Sequence, residues 1–203
     1  KIVIGLLKVI ERIDELILEF DNLIPDHWCD LMVEWFHANS ELQEDGRVVN
    51  YDQNAVLLDF KVAKQSIVPF ETPMFELMSK ICNMSYQELL KKVPNAPING
   101  IYFRDFTIRI YEKDSGIFKP HVDQHAGATV TRLFTIIVYL NDVYEGGETE
   151  FPEYNKKINP KKGKVLMFPC NFLYLHQGNV PISNDKYIAT SFVNFRPPVD
   201  CNW

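Results

Sequence analysis

The chain has 203 residues, 46% of them apolar and 13% aromatic, enough for one globular domain with a sizeable core. Its formal net charge is −6 and it has no long basic run, which argues against a nucleic-acid backbone or an anionic membrane as partner. Cys29, Cys82, Cys170 and Cys201 are scattered with no Cys-x-x-Cys pair, a pattern of free thiols in a reducing, cytoplasmic setting rather than of a disulfide framework.

The chain starts at Lys1, and the apolar run at 2–10 is too short and too interrupted by Lys8 for a transmembrane helix. Glu11, Asp14 and Glu15 follow where a signal peptide would carry small residues, so a packed helix or strand of a soluble protein is expected there. Residues 17–20 read as a short strand, and Pro25-Asp26 opens a helix in which Cys29, Met32, Val33 and Phe36 recur at helical spacing. His27 and His37 lie on or near this helix without ligand spacing and read as solvated or core-edge histidines. Residues 41–53 are polar around Gly46, the composition of an exposed connector or a mobile lid, and 55–60 return to a strand-like pattern. Thr72-Pro73 precedes a second helix, Met74 to roughly Lys92, with Phe75, Met78, Ile81, Cys82, Leu89 and Leu90 as its apolar stripe.

After Pro97 the pattern changes. Runs rich in β-branched and aromatic residues at 101–112, 133–140, 164–168 and 187–195 are separated by Gly, Pro and Asn. Helices first and strands after describe an α+β fold, and with no repeat or low-complexity tract to mark a boundary, 1–203 is read as a single domain.

The chemistry concentrates in Lys119-Pro-His-Val-Asp-Gln-His125. If the backbone stays extended, His121 and Asp123 present their side chains on one face. One His lies downstream of this cluster, His176, and two His with one carboxylate make the facial triad that suits non-haem Fe(II) with positions left open. The spacing of 55 positions from His121 to His176 allows strands to leave the site and return. A lone His-x-Asp is a weak motif, common as a structural hydrogen-bonded pair. His125 competes on the same parity; His121 is favoured because Asp123 then follows it directly.

The run Arg109-Ile-Tyr111, Phe118-Lys-Pro-His121-Val-Asp123, Arg132-Leu-Phe-Thr-Ile-Ile-Val-Tyr139, Gly146-Gly-Glu-Thr149, Gly163-Lys-Val-Leu-Met-Phe168, His176-Gln-Gly178 and Val180 to Lys186 resembles, in order, the prolyl 4-hydroxylase family of Fe(II)/2-oxoglutarate dioxygenases. The resemblance covers about residues 100–195; 1–99 match only loosely. It implies a double-stranded β-helix, a distorted jelly roll at 100–195 supported by helices and strands of 1–99. It also implies Fe(II) on His121, Asp123 and His176, 2-oxoglutarate and O2 as cosubstrates, and ascorbate as reductant. A basic residue ten positions after the distal His holds the far carboxylate of 2-oxoglutarate in the family, and Lys186 stands there, with Tyr111, Tyr139 and Thr190 as its expected neighbours. Gly146-Gly147 reads as a turn at the barrel rim. Arg132 and Phe192 match substrate-facing positions, and the expected substrate is a prolyl residue in a protein or peptide, hydroxylated with release of succinate and CO2. A hydroxylase of a small molecule such as free proline stays open. A nucleic-acid-repair dioxygenase would carry an arginine-rich ending, against which only Arg196 stands here, and a non-catalytic jelly-roll module would not need the whole residue set.

Overall fold

In a computed structural model, which describes residues 13–46, 49–50, 55–56 and 60–196, both expected helices form. Helix α1 (Asp26–Ala38) carries Asp26 in its first turn, which suits the helix dipole, and buries Cys29, Met32 and Phe36. Helix α2 (Pro73–Lys92) is capped by Thr72, whose Oγ1 accepts the Phe75 amide at 3.2 Å. Pro73 occupies the first turn, where a missing N–H costs nothing, and Lys91 and Lys92 close the last.

In sequence order the strands are β1 (Leu18–Phe20), β2 (Gln43–Asp45), β3 (Val49–Asn50), β4 (Ala55–Val56), β5 (Lys61–Val62), β6 (Lys64–Ile67), β7 (Ile101–Tyr111), β8 (Ile117–His121), β9 (Arg132–Tyr139), β10 (Thr149–Phe151), β11 (Lys156–Ile158), β12 (Val165–Pro169), β13 (His176–Gly178) and β14 (Lys186–Phe195). They assemble into a large sheet, β1-β12-β9-β14-β7-β6-β2, and a small one, β11-β10-β13-β8-β5, with β3 and β4 paired apart. Among the described residues every pairing is antiparallel.

Strand alternation builds two cores from one sheet. On β9, Ile136 and Val138 join Ile108, Val165, Met167 and Ala189 under the two helices. The intervening Ile137 and Tyr139 join Leu166, Phe168, Ile188 and Phe151 between the sheets. A sheet covered on both faces needs near-continuous apolar strands, which is why β9 and β12 read as runs rather than as alternations. Each fully buried aliphatic or aromatic side chain here contributes about 1.5–3 kcal/mol relative to exposure.

Part of the polar stretch at 41–53 is ordered structure. Ser40–Leu42 is a 3-10 turn and Gln43–Asp45 is an edge strand on β6. Its polar composition is that of a solvated edge, which resembles a loop in sequence. Residues 47–48 and 51–54 lie outside the described residues, so the expected lid is a strand in the part that is described. The strand expected at 55–60 is Ala55–Val56, with 57–59 outside the described residues and Phe60 in a turn. The apolar run at 2–10 also lies outside them. The strands β1, β2, β5 and β6, all before residue 100, complete both sheets of the jelly roll.

Candidate active site

The small sheet brings the two histidines together. His176 on β13 is the direct partner of His121 on β8, and their ring centroids are 4.2 Å apart. Asp123, just past the end of β8, turns its carboxylate between them: Oδ1 lies 3.7 Å from His121 Nε2 and Oδ2 lies 3.6 Å from His176 Nε2. One ligand atom from each of the three residues falls within 4.8 Å of the others. His125 is exposed, and its backbone amide is taken up by Thr129 in the following turn.

Both rings are oriented in the same way. His121 Nδ1 lies 2.7 Å from the Lys119 carbonyl and His176 Nδ1 lies 3.0 Å from the Tyr174 carbonyl. A carbonyl only accepts, so each Nδ1 carries the proton and each Nε2 lone pair is left facing Asp123. Burial, reinforced by the neighbouring His176, pushes the His121 pKa down to about 3, so the ring is neutral and able to ligate at ordinary pH. Burial by itself would raise the Asp123 carboxyl, but the two imidazoles, the Thr135 hydroxyl and Arg132 together hold it below the usual range. Thr135 Oγ1 donates to Asp123 Oδ2 at 2.5 Å. Two imidazoles with backbone-fixed orientation and one carboxylate form a set that a divalent cation fits. Phe118 stacks on His121 at 3.5 Å and Phe168 meets His176 edge-on at 4.6 Å, so both rings are held by apolar neighbours as well.

A cavity of ≈ 260 Å³ opens between the sheets beside this cluster. It also receives Lys186, Thr190 and Phe192 from β14, Tyr111 from β7 and Arg132 from β9. Lys186 is 2% exposed and donates to the Gly147 carbonyl at 2.6 Å, with Nζ 5.3 Å from the Tyr111 ring. Burial lowers its pKa to about 7, partly opposed by Glu148. Gly146 and Gly147 both adopt φ +72°, and a side chain on Gly146 would run into the Val180 carbonyl, so the turn that delivers this acceptor requires glycine. Tyr139 neighbours Lys186 as expected, its ring centroid 5.8 Å from Nζ, but it does not line the cavity. It is fully buried under the cavity, and its hydroxyl donates to Thr149 Oγ1 at 2.7 Å, so Thr149 rather than Tyr139 lines the space.

Arg132 is clamped rather than free. Its guanidinium lies 3.6 Å from the Phe192 ring centroid, donates to Asp105 Oδ2 at 2.9 Å, and donates to the Asp123 carbonyl at 3.1 Å. Asp105 sits at φ 62° where the β7–β14 register slips between Thr190 and Phe192, a bulge that re-aims its side chain into the cavity. Sequence reading missed Asp105, Thr135, Lys61, Gln65 and Arg109 as wall residues. Arg109 shares parity with Tyr111, and Thr135 with Ile137, so strand alternation could have found both. No sequence signal marks Lys61.

Residues 106–194 match the 2OG-Fe(II) oxygenase superfamily. Human procollagen-lysine,2-oxoglutarate 5-dioxygenase 1 is 37% identical over 93 residues, 44% of this chain and 12% of that protein. The chain spans 27% or less of the length of its sequence relatives. The fold is shared with the viral collagen prolyl hydroxylase of Paramecium bursaria Chlorella virus-1 in its 2OG complex, at TM-score 0.65 and 22% identity over 89% of this chain and 96% of that one. It is shared too with a prolyl hydroxylase from Trichoplax adhaerens in complex with a hypoxia inducible factor peptide fragment, at TM-score 0.68 and 16% identity over 94% and 93%. The architecture is therefore the double-stranded β-helix. Among the described residues no helix is long and apolar enough to cross a membrane.

Proposed function

We propose that this chain is an Fe(II)/2-oxoglutarate-dependent dioxygenase that hydroxylates prolyl residues of a protein or peptide, releasing succinate and CO2. The observation that carries the reading is the convergence of His121, Asp123 and His176 in a cavity whose far wall holds the buried Lys186. His121 and His176 would ligate through Nε2, and Asp123 through its carboxylate, with Thr135 holding the carboxylate in place. The chemistry supplied when Fe(II), 2-oxoglutarate and O2 are bound is oxidative decarboxylation, which puts one oxygen atom into succinate and the other into a substrate C–H.

The protein's own residues bind and orient. Lys186 offers a charge-assisted hydrogen bond to the distal carboxylate of 2-oxoglutarate, beside Tyr111, whose hydroxyl has no protein partner among the described residues. Thr190 Oγ1 accepts from Arg109, which leaves its own O–H to donate toward the same ligand. Arg132 and Phe192 form a planar wall at which a proline ring can dock with little loss of entropy, because its φ is already set. Ascorbate as reductant and a cytoplasmic setting belong to the same reading; Cys29, Cys82 and Cys170 are all buried free thiols, which supports a reducing compartment. Residues 1–203 are read as one catalytic domain.

A lysyl side chain is the second reading, favoured by the procollagen-lysine relatives. The cavity wall opposes it, since Lys61, Arg109, Arg132 and Lys186 would all face the incoming ammonium. Incubation with Fe(II), 2-oxoglutarate and matched Pro, Ala and Lys peptides tests both. Mass spectrometry should find one added oxygen on proline and stoichiometric succinate; product on lysine alone would replace the prolyl reading.

A further inference from the structure

On the β5/β6/β7 flank of the cavity, away from Lys186 and its Gly147 acceptor, two cations share one neutral partner. Gln65 Oε1 accepts from Lys61 Nζ at 2.8 Å and from Arg109 Nε at 3.1 Å, while its own amide donates to Glu44 at 3.0 Å. Arg109 also donates to Thr190 Oγ1. Lys61 is only 6% exposed, and among the described residues no carboxylate lies within 4.0 Å of Lys61 or Arg109.

Such an arrangement is costly without a counter-charge. A buried cation without a counter-ion forfeits its hydration, and here a second cation stands beside it; burial and Arg109 together push the Lys61 ammonium well below the usual lysine range. The donors are also under-used. Lysine has three N–H groups and arginine five, of which one and two respectively are engaged. The charge count of the cavity points the same way. With every base protonated, as a bound carboxylate favours, Lys61, Arg109, Arg132 and Lys186 face Asp105 and Asp123, an excess of two positive charges. A divalent metal and the dianion 2-oxoglutarate cancel each other, so the excess survives when both are bound.

We propose that Lys61 and Arg109 form a carboxylate-recognition subsite for the substrate, so that the preferred substrate carries a carboxylate next to the residue to be oxidised. The subsite lies beside the reacting centre: Lys61 Nζ is 5.1 Å from the centroid of the Phe118 ring that stacks on His121. A carboxylate there completes both cations, and Gln65 holds them at the spacing that two carboxylate oxygens can meet. The carboxylate has two sources, the free C-terminus of a substrate that ends at the target residue or an acidic side group immediately after it. This substrate class rests on the oxygenase reading above.

The test is calorimetric binding, without oxygen, to the full-length protein loaded with Mn(II) and 2-oxoglutarate. One arm compares peptides ending in proline as free acid and as amide; the other compares internal Pro-Asp with Pro-Asn. In at least one arm the acid should bind about tenfold or more tightly, and Lys61→Met should erase that preference while leaving 2-oxoglutarate affinity unchanged. Equal binding of acid and neutral peptides, or no binding of any, overturns the subsite, and this comparison needs no variant to fold. A loss of 2-oxoglutarate affinity in Lys61→Met with the peptide preference intact assigns the pair to the cosubstrate and also overturns it. Acid preference that persists when Ala replaces Pro sinks the prolyl reading and leaves the subsite standing.

Discussion

His121 and His176 are cross-strand partners on the small sheet, and the Asp123 carboxylate lies within 3.7 Å of both Nε2 atoms. The gap is too long for direct hydrogen bonds and lies inside three ligand atoms that all fall within 4.8 Å. Because the pairing is made by backbone register, the two imidazoles are held in place whether or not an ion is present.

From that register, His176→Ala and His121→Ala should each abolish stoichiometric metal binding, read by Mn(II) paramagnetic resonance, with circular dichroism unchanged. His125→Ala should leave metal content and turnover as they are, because that residue is exposed in the turn after the site. Metal loss in His125→Ala that matched the loss in His121→Ala would refute the ligand set.

Thr135→Val keeps the shape of the residue and removes its donor to Asp123. The carboxylate would lose the hydrogen bond that orients it and lowers its pKa. Outer-shell losses of this kind cost about 10–100-fold in metal affinity, and metal titration of the variant should show a drop in that range. Thr135→Ser should recover most of it; a valine variant with unaltered affinity would show that Asp123 is positioned without this contact.

Lys186→Ala would leave a ligand carboxylate without its charge-assisted partner, a loss of about 1.5–3 kcal/mol and hence roughly tenfold or more in 2-oxoglutarate affinity. The test is 2-oxoglutarate titration of the Mn(II) protein, and an unchanged dissociation constant would remove Lys186 from the anchor role.

The pH dependence follows from the same buried lysine. With its pKa near 7 in the free cavity, Lys186 is charged below that pH and increasingly neutral above it. The dianionic ligand needs the charged form, so binding takes up a proton above pH 7 and the dissociation constant should rise by up to about tenfold per pH unit there. Below pH 7 this lysine adds no slope. For folding without ligand the sign reverses: between about 7 and the ordinary lysine value the unfolded state holds a proton that the folded state does not, so stability from this group rises with pH. Lys186→Arg stays charged and should flatten the binding profile; a slope that persists in it would have another origin.

What the residues determined alone was local. Helical spacing of Cys29, Met32 and Phe36, the Thr72-Pro73 start of α2, and the β-branched runs of β7, β9, β12 and β14 each follow from periodicity and side-group shape. The His121-x-Asp123 spacing and the ordered motif run through Lys186 were likewise readable in the sequence, because they are properties of neighbouring residues on strands. Short strands escaped: β5, β6, β10 and β13 hold too few residues for a period to emerge, and Lys61 and Gln65 look like surface residues in any window. Only the tertiary structure decided that β5 and β6 complete the barrel wall and turn these two residues inward, that the bulge at Asp105 clamps Arg132, and that Tyr139 is spent on Thr149. Those outcomes depend on contacts between residues as far apart as Gln65 and Arg109, whose meeting is set by which strands pair and in what register, a long-range choice that local sequence patterns do not encode.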